Sequence, residues 1–274
     1  MTPDPDGTGG SAGSAEVTLY VYAVVPAGDH RPRVSGIDGA ALDVVGPVGG
    51  PRAVVHRHAA APYDGPDDDV KLWILQHSDV VEDAWEGAGA VLPVSFNVIV
   101  RPDAETGATA EAQLTAWLMT EGPALRRRLD ELTGTSELRV EVSLDHEEYA
   151  ASNAEMRQIA DEMADRPAGV RRLLEKRAEK MGKEITDRAA DDLYPELRTR
   201  IAGHCVEIEE YRSPARETGL VPVLTASCLV RAPRQQELGA ELSAIASEQP
   251  AVRIRFLGPW PPYSFAELPG ADPA

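Results

Sequence analysis

The chain has 274 residues, 43% of them hydrophobic, and 45 acidic against 27 basic side chains give a formal net charge of −18. That length accommodates two separate cores, while the charge excludes sequence-independent nucleic-acid binding and attraction to anionic membranes, both of which need a basic footprint. No apolar run approaches the ~20 residues that cross a bilayer, and two cysteines, Cys205 and Cys228, make neither a disulfide framework nor a zinc cluster and read as free buried thiols.

Residues 1–15 are mainly Gly, Ser, Asp and Pro, with neither the basic start nor the apolar centre of a secretory signal. They read as a disordered arm, and the protein reads as cytoplasmic. The run Val17–Val25 is rich in β-branched and aromatic residues and predicts a strong strand. A weaker strand is expected over Ala41–Val45, and another over Arg52–Arg57 after the turn-rich segment 46–51. From Asp67 to Gly89 the apolar residues fall at helical spacing, with Asp67, Asp68 and Asp69 placed to complement the helix dipole. Ala90–Val100 predicts one strand with Pro93 near its start, and residues 107–133 predict a helix pair broken at Gly122-Pro123. These pieces make an N-terminal α+β domain over 16–134.

The second half has a clearer order. Glu137–Leu144 alternates as a strand, and a long helical region follows over about 146–203, opened by Asp145 with Glu148 three positions on. Strands are expected at Cys205–Tyr211 and Val221–Val230, a helix at Pro233–Ser247, and a last strand at Ala251–Leu257. The order β-α-β-β-α-β is that of a ferredoxin-like domain, here over 135–265 with an enlarged first crossover. The fold class is therefore α+β in two domains, with a flexible tail at 266–274.

Few residues point to chemistry. The glycine run at 7–13 precedes the first strand, whereas a phosphate cradle joins a strand to a helix, so it reads as linker. His56 and His58 share a strand face and His146 and His204 stand near carboxylates, but no metal-ligand spacing occurs, and each is expected at the surface or partly buried. Glu207 and Glu209 share a face that reads as solvated. No nucleophile elbow or activated cysteine is present. No catalytic residue, cofactor site or metal site is assigned.

The most informative segment is Gly258-Pro-Trp-Pro-Pro-Tyr-Ser-Phe265. Its prolines fix φ and remove donors, so the chain is expected to leave the sheet after Leu257 as a stiff segment presenting Trp260, Tyr263 and Phe265. Two readings stand side by side: a clamp on the protein's own core, or a rigid aromatic ledge for a partner.

With these segments in hand the chain resembles the gas vesicle accessory protein family GvpF/GvpL. The resemblance is carried by Leu19–Val25, Gln76–Glu82, Val91-Leu-Pro-Val-Ser-Phe96, Leu132–Gly134 with Glu137–Val140, Gly169–Arg177, Leu229-Val230 and Gly258–Phe265, in the family's order. Around the Phe96 strand the family usually has a basic residue and then a glycine, where this chain has Ser95 and Asn97. A role tied to that basic side chain is in doubt, while Asn97 tolerates the backbone angles a bend needs. The resemblance implies a modified ferredoxin-like N-terminal domain and a second α+β domain with added helices. It also implies a non-enzymatic assembly or minor structural protein that binds the hydrophobic major shell subunit GvpA and other vesicle proteins, without cofactor, nucleic acid or membrane. Candidate partner-binding residues are Val91, Leu92, Pro93, Phe96, Trp260, Pro261, Pro262, Tyr263 and Phe265. The alternative is a ferredoxin-like protein that binds a small ligand or runs cofactor-free chemistry in a deep pocket.

Overall fold

The structure, a computed structural model, describes residues 17–59, 61–164, 167–212 and 218–268. The expected arm at 1–15, and the tail beyond 268, lie outside these described residues. The chain divides into two compact units, Met1–Glu131 with Leu268–Ala274, and Leu132–Glu267.

In the first unit, strands β1 (Thr18–Val25), β2 (Leu42–Val45), β3 (Arg52–His58), β4 (Leu92–Pro93) and β5 (Ile99–Val100) accompany helices α1 (Asp67–Ala88), α2 (Ala110–Thr120) and α3 (Gly122–Leu132). The antiparallel sheet runs β2-β3-β1-β4, with β5 also pairing β1. β1 is central because nearly every side chain on it is apolar or aromatic and buried, as a strand covered on both faces requires. A bulge after Val21 leaves Tyr22 without an opposite residue. Tyr20, Tyr22, Ala23 and Val25 all join Val80, Val81 and Ala84 of α1 in one core.

The expected single strand Ala90–Val100 is broken into β4 and β5. Asn97 takes φ +72°, a left-handed conformation that ends regular strand pairing. Its side-chain amide donates to Tyr63 O and its side-chain oxygen accepts from Tyr63 N, both at 2.9 Å.

This turn closes a buried polar network that corrects the surface placement expected for His56 and His58. Both are buried beside Tyr20 and Tyr22, with His77 from α1. The Tyr20 hydroxyl accepts the Asn97 N–H at 3.1 Å, so its proton goes to His77 Nδ1 at 2.9 Å, and His77 Nε2–H donates to Val94 O at 3.0 Å. Tyr22 repeats the arrangement: its hydroxyl accepts Ile37 N–H at 2.9 Å and donates to His56 Nδ1 at 2.7 Å. Both imidazoles are thereby fixed neutral, with the proton on Nε2.

In the second unit, β6 (Thr135–Asp145), β7 (Glu207–Glu210), β8 (Leu220–Arg231) and β9 (Val252–Trp260) form an antiparallel sheet in the order β7-β8-β6-β9. Helices α4 (His146–Ser152), α5 (Ala154–Ala164) and α6 (Ala168–Ala202) fill the first crossover, and α7 (Gln235–Glu248) the second. Asp145 caps α4 by accepting the Glu148 N–H at 3.0 Å. Order and pairing are those of the expected ferredoxin-like domain. The first unit repeats the strand order, with a loop and a 3-10 turn at Ile37–Gly39 in place of the first helix. On the covered face, Leu138, Val140, Val142 and Leu144 of β6 pack with Leu197 and Ile201 of α6 and Leu238, Leu242 and Ile245 of α7. The other side chains of β6 point away from these helices, and the second unit's candidate site is built there.

The histidine network predicts an acid limit to stability. Burial lowers both His56 and His77 from 6.5 to about 4. Between those values the unfolded chain binds protons that the folded one refuses, so stability is full above about pH 6.5 and falls toward pH 4. Each histidine contributes roughly 2–3 kcal/mol of that loss by pH 4.5. Denaturant unfolding at pH 7 and pH 4.5 checks it: His77→Gln, which keeps a neutral acceptor and donor, is expected to lose less stability on acidification than wild type. An equal loss in both proteins refutes the assignment.

Candidate interaction surface

Strand β9 lies at one edge of the second sheet, and no strand among the described residues pairs with its outer side. The Asp145 N–H donates to Ala251 O at 2.8 Å, which sets the phase of the ladder between β6 and β9. Arg253 and Arg255 therefore turn their backbone groups toward β6, while Ile254 and Phe256 turn theirs to the open edge. Phe256, Leu257, Trp260 and Tyr263 keep 41, 38, 36 and 42% of their surface exposed. Leu257 and Trp260, opposite Arg139 and Glu137, lie on the sheet face away from the helices, while Phe256, opposite Val140, lies on the other face, so both sides of this edge carry exposed apolar surface.

The strand does not end at Leu257 as expected. A bulge at Gly258 carries it to Trp260, which stands opposite Glu137. A Cβ at Gly258 would meet Glu137 O at 2.8 Å and Leu138 Cδ2 at 3.0 Å, so glycine alone permits this approach. The Gly258–Pro259 peptide is cis. Only at Pro261 does the chain leave the sheet, and it then turns back as a short 3-10 segment, Tyr263–Phe265.

What holds that turn is a buried carboxylate. Glu137 is 2% exposed. Its Oε2 accepts the Ser264 N–H at 2.7 Å, and its Oε1 accepts the hydroxyls of Ser264 at 2.7 Å and Ser227 at 2.8 Å. Pro261, Pro262 and Phe265 are buried beneath the segment, whereas Trp260 and Tyr263 reach solvent. Beside it, the Arg139 guanidinium lies 5.1 Å from the Tyr211 ring centroid and 5.8 Å from that of Trp260.

In the first unit Val91 and Leu92 are fully buried, Pro93 is buried and Phe96 is half-buried. The first three are core residues and offer nothing to a partner in this state. The segment instead borders an apolar groove of about 340 Å³ lined by Val21, Val94, Val98, Leu114, Trp117 and Leu268 among others. A larger open depression of about 870 Å³ in the second unit is edged by Lys176, Lys180, Lys183, Asp187 and Asp191. Glu207, Glu209 and Glu210 are exposed on β7. No group of three potential ligands gathers among the described residues in a way that would hold a metal ion. None of their helices is long and apolar enough to cross a membrane.

Comparison with known proteins gives this architecture a family. The family model for gas vesicle synthesis protein GvpL/GvpF matches residues 18–267. The chain belongs to the GvpL/GvpF family. It is 30% identical over 263 residues to gas vesicle protein L2 of Halobacterium salinarum, covering 90% of each chain, and 27% identical to gas vesicle protein L1 of that organism, covering 90% of this chain and 89% of that one. Crystal structures of GvpF share the fold. That from Anabaena superposes with a TM-score of 0.63 at 17% identity, covering 92% of this chain and 97% of the other. That from Microcystis aeruginosa gives 0.60 at 20% identity, covering 92% and 100%.

Within this GvpL/GvpF chain, sequence reading had pointed to the aromatic segment but not to the groups that hold and flank it. Glu137, Ser227 and Ser264 are unremarkable in sequence, since one carboxylate among 45 acidic residues carries no signal. An acidic residue at the start of an apolar alternating strand, on the face away from the helices, is the pattern that would have found it. Arg139 follows two positions later on that face.

Removing the Glu137 carboxylate strands three buried donors. Glu137→Ala is expected to lower the unfolding free energy by about 2 kcal/mol and to open the Tyr263–Phe265 turn to chymotrypsin under native conditions. Cleavage there no faster than in wild type would mean the turn is held by packing alone.

Proposed function

We propose that this GvpL/GvpF protein works in gas vesicle formation as a non-catalytic cytoplasmic binding protein. Its proposed partner is the hydrophobic shell subunit GvpA, in company with other vesicle proteins, during nucleation or growth of the shell. The observation that supports this reading is the exposed apolar surface of Phe256, Leu257, Trp260 and Tyr263 at the open edge of β9 and the turn that follows it, on both faces of the sheet. An unpaired edge supplies backbone hydrogen bonds and these side chains supply apolar contact, the combination by which strand addition captures an extended segment. Trp and Tyr are also the residue types that dominate binding energy at interfaces. The rest of the body, at net charge −18, keeps a bound apolar partner dispersed.

The geometry also favours a preformed contact. Because Glu137 and the buried prolines fix the backbone around Trp260 and Tyr263, little side-chain or loop entropy is lost on docking. Of the nine residues the sequence suggests, Trp260 and Tyr263 carry the contact in this reading, and Pro261, Pro262 and Phe265 hold them in place.

Pull-down of GvpA by the purified protein tests the proposal. Wild type is expected to retain GvpA, and the double variant Trp260→Ala/Tyr263→Ala is expected to lose about 2 kcal/mol of binding or more, with its melting curve close to wild type. Undiminished binding by a folded double variant reduces the segment to a clamp on the protein's own core. Turnover of a metabolite by the purified protein would remove the non-catalytic reading altogether.

A further inference from the structure

The Arg139 guanidinium is flanked by the Tyr211 and Trp260 rings, and its Nε is buried without a hydrogen-bond partner, as is the Tyr211 hydroxyl. The acidic groups on its own strand are already engaged. Glu137 is taken by Ser227 and Ser264, and Glu141 pairs with Arg255 at 3.1 Å. On β9, Arg253 is tied to Asp145 and Glu148. Glu209 lies across the sheet on β7, with Ser227 of β8 between it and Arg139 in the register. Among the described residues no carboxylate forms an ion pair with Arg139. The half-buried cation is flanked by two aromatic rings, and among the described residues its Nε has no acceptor.

Building on the proposed capture of the shell subunit, we infer that Arg139 receives a carboxylate from the partner: an Asp or Glu side chain set in an apolar extended segment lying along β9. A guanidinium offers a planar fork of donors that matches a carboxylate, and the two rings orient it and dry its surroundings. Apolar neighbours of the incoming acid meet Trp260 and Leu257 on the face it shares with Arg139, and Phe256 on the other face, while its backbone meets the open groups of Ile254 and Phe256. A second copy of this chain suits the edge poorly. Antiparallel pairing of two β9 strands about Ile254 sets Arg253 of one opposite Arg255 of the other, a like-charge apposition. An acidic, otherwise apolar segment meets no such repulsion.

The test is a double-mutant cycle on GvpA binding at low and high salt. Arg139→Met is expected to weaken binding about tenfold or more and to remove most of its salt dependence. Arg139→Lys, which keeps the charge and loses the fork, is expected to retain the salt dependence at intermediate affinity. One Asp→Asn or Glu→Gln change in GvpA should cost binding to wild type and nothing further to Arg139→Met. If Arg139→Met and Arg139→Lys bind as wild type while Trp260→Ala/Tyr263→Ala is impaired, the carboxylate inference fails and the proposed function stands. If the aromatic variant also binds normally, the proposed function fails with it. Should Arg139→Met not fold, Arg139→Lys still decides, because wild-type affinity in it excludes a role for the fork.

Discussion

A carboxylate removed from water must be given donors, and the second unit is organised around that requirement. Glu137 sits on a central strand with 2% of its surface exposed, where an unsatisfied charge would cost several kcal/mol. The donors come from two sources: a serine hydroxyl on the neighbouring strand β8, and both the hydroxyl and backbone N–H of Ser264. Because Ser264 lies beyond the end of the sheet, satisfying Glu137 forces the chain to fold back after Trp260. The bulge at Gly258, the buried prolines and the short 3-10 turn are the route by which it does so. The aromatic side chains reach solvent as a consequence of this backbone path.

Two buried polar systems among the described residues differ in completeness. In the first unit each tyrosine hydroxyl gives and receives one hydrogen bond, each Nδ1 accepts and His77 Nε2–H finds Val94 O, so the network fixes the packing of α1 on the sheet. Glu137 is likewise complete. Arg139, two residues away on the same face, is not: its rings are in place, and among the described residues no carboxylate forms an ion pair with it. Since folded proteins pair nearly all buried polar groups, a group left incomplete among the described residues marks a place where a partner's group would fit.

Much of the fold was legible because it follows from periodicity. The alternation in β6, the helical stripe through α6 and the order of elements in the second half led directly to the β7-β8-β6-β9 sheet. The Asp145 cap was readable from local chemistry. What misled were positions where one long-range bond outweighs local pattern. Ala90–Val100 alternates like a single strand, yet Asn97 leaves it to bond Tyr63 and Tyr20, residues 34 and 77 positions away. His56 and His58 carry no sign of burial, because the partners that make it tolerable, Tyr20, Tyr22 and His77, come from other elements. Three prolines and a glycine suggested that the chain leaves the sheet at Gly258. The bulge instead let β9 continue, and the side chains meant for display divided into exposed Trp260 and Tyr263 and buried Phe265.

Charge ties these features together. A body at net −18 repels other acidic surfaces at long range, so an acidic partner needs local cations to approach. Along β9 and its neighbour on β6 the chain places Arg253, Arg255 and Arg139 within one edge region. Two of the three are held in half-exposed ion pairs with Asp145, Glu148 and Glu141, which leave their cationic heads at the edge. Those pairs blunt the edge against its own kind, as charged side chains do on exposed strands generally. The third stands beside Trp260 with its charge uncompensated at close range. At this edge the attraction for an anion centres on Arg139, where it coincides with the exposed apolar area and the open backbone groups. Specificity follows from that coincidence: an apolar strand lacking the acid forgoes the fork, and an acidic strand lacking apolar neighbours leaves Trp260 and Phe256 wet.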